Sequence, residues 1–202
     1  MIVPTPTRPL RADAARNREL LLAAAEEELA ERGVDASIAD IARRAGVAKG
    51  TVFRHFATKE ELLAAVFGNH LAALTDAGAR QLDAPDPGAA LLEFVTAAAD
   101  AMQRYDLTYL RVLSQNDPRL SELRDRLHAI VSSLVDRARA AGAVRGDITG
   151  TDVFLLLCAP AHTVELVADP PPDLWRRYLA IVLDGLRPEG ATALPHPAPA
   201  WP

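Results

Sequence analysis

Between Ile38 and Phe56 the apolar pattern runs for about two helical turns, breaks at Gly46-Val47, and resumes for about two more. Ile38, Ile41, Ala42 and Ala45 form one stripe at helical spacing. Val52 and Phe56 lie about 40° apart on the inward side of the second segment. Gly46 can take the left-handed conformation that ends a helix and turns the chain. Ser37, three residues before Asp40, is an N-cap signature: its oxygen accepts from the Asp40 N–H, and the acid favours the helix N-terminus. The stretch therefore reads as a helix-turn-helix, with Ile41, Ala45, Val52 and Phe56 on its buried side.

Charge gives this motif a direction. The chain of 202 residues is acidic, with net charge −5, yet Arg43, Arg44, Lys49, Arg54 and Lys59 fall within residues 41–59 with no acid among them. Residues 1–60 hold ten basic and nine acidic side chains, the remainder twelve and eighteen. Binding to nucleic acid depends on where charge sits rather than on its sum. The two parts of the chain thus point to different partners, and the basic second helix is the one offered to DNA. With Val52 inward, Gly50 and Arg54 lie on the opposite side, flanked by Lys49, Thr51 and Phe53. Arg54 is the candidate for reading a base edge, since a guanidinium pairs bidentately with guanine. Gly50 lets the backbone approach the groove, and Lys49 and Thr51 reach bases or phosphates. Arg43 and Arg44 end a helix, where the dipole favours positive charge, and are read as solvent-facing.

The run IADIARRAGVAKGTVFRHFATKEELL resembles the DNA-binding region of the tetracycline-repressor (TetR) family of bacterial transcription regulators, with the likeness covering about residues 13–67. That resemblance implies phosphate contacts at Ser37, Phe53, His55 and Lys59. Phe53 stands where the family more often has tyrosine, so its contact is van der Waals only. The two lysines of the chain, Lys49 and Lys59, both fall where the family pattern asks for lysine.

The fold class expected is all-α: a three-helix head and a larger helical body, about nine helices in total. The expected divisions are a flexible basic arm (1–12), the DNA-binding domain (13–58), a ligand-binding and dimerisation domain (59–187), and a disordered tail (188–202) rich in proline. The first helix, 13–32, carries Leu20, Leu21, Ala24, Ala25 and Leu29 at helical spacing. In the body, Asp86-Pro87 and Asp117-Pro118 are each an N-cap followed by proline at the first helical position. A shorter amphipathic piece spans 105–114. Thr151 is a plausible N-cap for an apolar helix that Pro160 must kink or break. A last helix spans about 173–186.

By the resemblance, the last two helices form a dimer interface, with Leu155, Leu156, Val164, Trp175, Tyr178, Leu179 and Val182 as candidates. For about half of these, completing the monomer's own core is the competing role. The central helices enclose a small-molecule pocket, with Phe94, Met102, Tyr105, Tyr109, Leu113, Phe154, Cys158 and His162 as candidates. Cys158, His162 and Glu165 fall at i, i+4 and i+7, but no second cluster accompanies them, so a buried, hydrogen-bonded histidine is the reading and no metal or cofactor is expected. A single cysteine excludes an internal disulfide. The longest apolar run, 153–161, is far short of the about 20 residues of a membrane span. No catalytic motif is present, so an enzyme is not expected. The partners expected are a double-stranded DNA operator, a small-molecule effector and a second copy of the chain, with no membrane partner and a cytoplasmic location. The function read is a ligand-responsive repressor on a pseudo-palindromic operator; a helical interaction module without operator binding and a TetR-like activator are the alternatives.

Overall fold

The computed structural model describes residues 8–103 and 117–201, and all regular structure among them is helical. The expected piece at 105–114, with Tyr105, Tyr109 and Leu113, lies outside the described residues. The chain divides into two compact units, 1–67 and 68–202.

The first unit contains α1 (Arg8–Arg32), a short 3-10 turn (Gly33–Asp35), α2 (Ile38–Arg44), α3 (Lys49–His55) and the start of α4 (Lys59–Gln81). Helix α1 starts at Arg8, not Asp13, so the last residues assigned to a flexible arm are helical. Leu21, Ala24, Ala25 and Leu29 of α1 are buried, as are Ile41 and Ala42 of α2 and Val52 of α3, with Phe56 at its end. Two expected core positions differ. Leu20 points outward, and the inward register of α1 instead carries Glu28, which is 1% exposed. Ala45 is half-buried, because it caps α2 and the chain is already turning. Gly46 has φ +68°, and the hydrogen bonds from its N–H to Arg43 O and from Val47 N–H to Ala42 O close the left-handed helix end. At α4, Thr58 Oγ1 accepts from the Glu61 N–H at 3.1 Å, and the Glu61 carboxylate reaches back to the Ala57 N–H at 2.7 Å.

The second unit contains the rest of α4, then α5 (Pro87–Met102), α6 (Pro118–Ala140), α7 (Gly150–Leu156), α8 (Ala159–Glu165) and α9 (Leu174–Gly185). Asp86 and Asp117 cap α5 and α6 as expected, accepting from Ala89 N–H at 3.0 Å and Arg119 N–H at 2.8 Å. The core runs along α5 through Leu91, Phe94, Val95 and Ala98, and along α6 through Leu127, Val131, Leu134 and Val135. Helix α6 packs on both α5 and α7, and α9 packs on α8 and α5. Gly150 permits the α6–α7 approach: a Cβ there would come within 2.4 Å of the Ser132 Cα.

Three expectations for this unit change. Thr149, not Thr151, caps α7, in a reciprocal box with Asp152, while Thr151 is buried inside the helix. The apolar helix breaks after Leu156, and Pro160 lies in the first turn of a separate helix, where its missing N–H costs nothing. The tail, 188–201, has no helix or strand, yet it is docked rather than disordered. Arg145 donates to the Thr192 carbonyl, the Leu194 N–H donates to Asp147 at 3.2 Å, and the Trp201 indole N–H donates to Asp125 at 2.9 Å. Proline content had excluded regular structure there but says nothing about such anchors.

Candidate nucleic-acid interface

Helix α3 has two unlike sides. Val52 and Phe56 are buried to 0% and 1% exposure, which seats the helix firmly. Lys49, Gly50, Phe53 and Arg54 are exposed, and Thr51 and His55 half-buried. Phe53 is 51% exposed, a position a core phenylalanine would not take. Arg54 Nη2 donates to Thr51 Oγ1 at 2.8 Å, so the two side chains share one face. Arg18 of α1 lies over the Phe56 ring, 4.4 Å from its centroid, bracing the end of α3 against the first helix.

The cations of the motif separate into two groups. Arg44 is exposed, as expected, but it is also paired: it donates to Glu28 at 2.8 Å, Glu27 at 3.0 Å and Glu31 at 2.5 Å. Those carboxylates hold the guanidinium further in its charged form, and Arg44 in turn lowers the Glu31 pKa. Arg43 pairs with Asp40 at 2.8 Å, and Arg32 approaches the same carboxylate at 3.1 Å. Asp40 therefore sits below the usual carboxylate range, chiefly through the Ser37 hydroxyl and then through Arg43. Arg43 and Arg44 tie the motif together, and among the described residues no carboxylate pairs with Lys49 or Arg54.

Ser37 is committed to the cap. It accepts from the Asp40 N–H at 3.2 Å and donates its proton to Asp40 Oδ2 at 2.6 Å, leaving no hydroxyl donor for a phosphate. Lys59 is half-buried at the first residue of α4.

The candidates in the second unit scatter. Phe94 is core, Met102 and Phe154 are half-buried, and Cys158 is half-buried with its thiol pKa raised by burial. His162 is exposed rather than buried, because the break before α8 changes the register that placed it inside. An open groove of about 430 Å³ lies instead between α7 and α9, lined by Ile148, Leu155, Leu156, Ile181, Val182 and Leu194 among others. None of the described pocket candidates lines it, and three of the interface candidates do. Leu155 and Ile181 are 52% and 57% exposed beside it. Ile181 was missed because it lies off the stripe that Trp175 and Leu179 define. Trp175 and Leu179, by contrast, are buried within their own chain, and Val164 and Tyr178 are half-buried.

A braced short helix with a cationic outer side, held in a helix-turn-helix unit and joined to an all-helical body, defines a DNA-binding protein. No helix among the described residues is long and apolar enough to cross a membrane. Residues 21–66 match the family described as bacterial regulatory proteins of the tetR family, and residues 86–188 match the SbtR-like transcriptional regulator C-terminal domain. The chain belongs to the TetR family of transcriptional regulators. It is 34% identical to the TetR regulator SCO0520 of Streptomyces coelicolor, with 86% of this chain and 99% of that one covered and a TM-score of 0.64. A TetR regulatory protein of Mycobacterium vanbaalenii is 31% identical, with coverage of 89% and 99% and a TM-score of 0.62. The transcriptional repressor BepR of Brucella suis is 28% identical over 167 residues, covering 75% of this chain and 80% of that protein. The family and the fold are those of transcription regulators rather than enzymes.

Proposed function

We propose that the exposed side of α3 enters the major groove, with Arg54 reading a base edge, Lys49 and Thr51 contacting bases or phosphates, and Gly50 giving the backbone close approach. Phe53, His55 and Lys59 flank the sugar-phosphate chain; Ser37 fixes α2 rather than the DNA. The observation that carries this reading is the division of the cations: Arg43 and Arg44 are consumed by carboxylates, while Lys49 and Arg54 face outward from a helix whose other side is fully buried.

One such head makes few contacts, and a two-fold dimer on a pseudo-palindrome supplies the rest. The exposed Leu155 and Ile181, with Leu156 and Val182, form the face available for that pairing. The chain then acts as a repressor, as its Brucella relative is named, and a small molecule bound in the body releases it by favouring a head spacing that the operator does not fit. The domain limits that go with this reading are a DNA-binding head to about residue 58 and a ligand-binding and dimerisation body to about residue 187.

Selection of genomic fragments on the full chain tests the proposal. Recovery of a shared pseudo-palindromic sequence, with affinity falling steeply as salt rises, is the expected result. Retention of no fragment at low salt would overturn it.

A further inference from the structure

On α6, Arg124, Asp125 and His128 lie within about one turn of each other, and Phe154 of α7 comes against them. His128 meets Phe154 edge-on, with centroids 5.7 Å apart at 68°. Its Nε2 lies 3.0 Å from Thr151 Oγ1, which fixes the imidazole plane. Burial lowers the His128 pKa and favours the neutral ring, although Asp125 opposes the shift and Arg124 adds to it. These four side chains make a cradle with an apolar wall, an aromatic edge, a cation and an acceptor.

Trp201 occupies the cradle. Its indole stacks on His128 with centroids 3.9 Å apart at 12°, and Phe154 meets it edge-on at 4.8 Å and 77°. The Arg124 guanidinium lies 5.0 Å from the indole centroid, and the indole N–H donates to Asp125 at 2.9 Å. The indole is thus met by a stacked ring, an edge-on ring, a guanidinium and an acceptor for its one polar atom.

The occupant is also replaceable. Residues 189–197 between the body and the cradle are exposed coil, held by the Thr192 and Leu194 backbone bonds described above. Trp201 itself is only half-buried, so the cradle opens to solvent. A tether of this kind presents its end at an effective concentration on the order of millimolar, which a free ligand can match.

We propose that this cradle is a binding site for small planar aromatic molecules carrying an in-plane N–H or O–H donor, and that Trp201 is a built-in occupant which such a ligand replaces. The stack on His128 selects a flat ring, Arg124 selects an electron-rich one, and Asp125 selects the donor. When the ligand enters, Trp201 leaves α6 and α7, while the Thr192 and Leu194 backbone bonds keep the start of the tail in place. The proposal concerns binding alone and stands whether or not the ligand alters DNA affinity.

Indole is the probe, and the readout is the pair of indole N–H resonances of the full-length chain labelled with ¹⁵N-tryptophan, Trp201 being identified from Trp201→Ala. Titration with indole is expected to move the Trp201 resonance to the position of a solvated tryptophan while that of buried Trp175 stays in place. Trp201→Ala should bind indole at least tenfold more tightly than the parent chain, and adding Asp125→Ala should remove at least tenfold of that gain with helicity unchanged. An unmoved Trp201 resonance up to the solubility limit of indole, or a Trp201→Ala chain that binds indole no more tightly than the parent, would overturn the proposal and leave the cradle as tail packing only.

Discussion

Arg44 of α2 donates to the carboxylate of Glu28 on α1 at 2.8 Å, and Glu28 is 1% exposed. Burying a carboxylate is unfavourable unless a cation and hydrogen bonds accompany it, so this pair decides how α2 seats on α1. Among the described residues, the second Glu28 oxygen has only the Arg32 guanidinium at 3.4 Å, without a hydrogen bond. Arg44→Ala leaves the carboxylate with the longer Arg32 approach and no charged hydrogen-bond donor, and should lower the thermal midpoint by about 5 °C or more. Glu28→Leu combined with Arg44→Leu removes the charge and its partner together and should recover most of that loss. Calorimetric melts of the three variants check this; a double variant as unstable as Arg44→Ala would show that the pair does more than neutralise a buried charge.

The limits of reading the chain from residues alone appear at the same pair. Gly46, Asp86-Pro87, Asp117-Pro118 and Pro160 act through the backbone within a few residues, and each ended, started or broke a helix as its chemistry requires. Glu28 and Arg44 are sixteen positions apart, and no local rule joins them. Glu28 looks like one more acid in the solvated run beside Glu26 and Glu27, although the register from Leu21 and Ala25 points it inward. The outward side of α3 was legible because Val52 and Phe56 fix its rotation. In the body only such helix boundaries were legible: the break before α8 moved His162 to the surface, and burial of Trp175 and Leu179 is decided by tertiary packing that helical period does not encode.

The α6–α7 contact gives a second stability test. A methyl group at Gly150 would lie 2.4 Å from the Ser132 Cα, a backbone atom that cannot rotate away. Gly150→Ala therefore forces the helices apart and should cost about 1–3 kcal/mol. Because the obstruction is backbone, Ser132→Gly should fail to rescue it. Urea titrations of the single and double variants measure this, and full rescue would assign the clash to the Ser132 hydroxyl instead.

Asp40 sets an acid limit on the helix-turn-helix. Its pKa is lowered in the folded chain by the Ser37 hydroxyl and by Arg43, so the stability it contributes is fully present above the ordinary carboxylate value of 3.8. That contribution is lost as pH falls through the lowered, folded value. Asp40→Asn should reduce the thermal midpoint at neutral pH and flatten its decline in acid. Melts collected from pH 7 to about pH 3 make the comparison, with an unchanged acid slope counting against Asp40.

Lys49 and Arg54 are both exposed on α3 but should fail differently when removed. A lysine attracts any phosphate, so Lys49→Ala should weaken specific and random DNA alike and reduce the salt-dependence slope by about one. A guanidinium paired with one base edge contributes discrimination of about 1–3 kcal/mol, so Arg54→Ala should erase preference at one operator position while sparing random DNA. The Thr51 hydroxyl, 2.8 Å from Arg54 Nη2, steers that guanidinium, and Thr51→Val should give a weaker form of the same loss. Binding measured on the selected operator, on its single-position variants and on random duplex at several salt concentrations separates the two roles. Equal weakening of specific and random binding by Arg54→Ala would move it from base reading to phosphate contact.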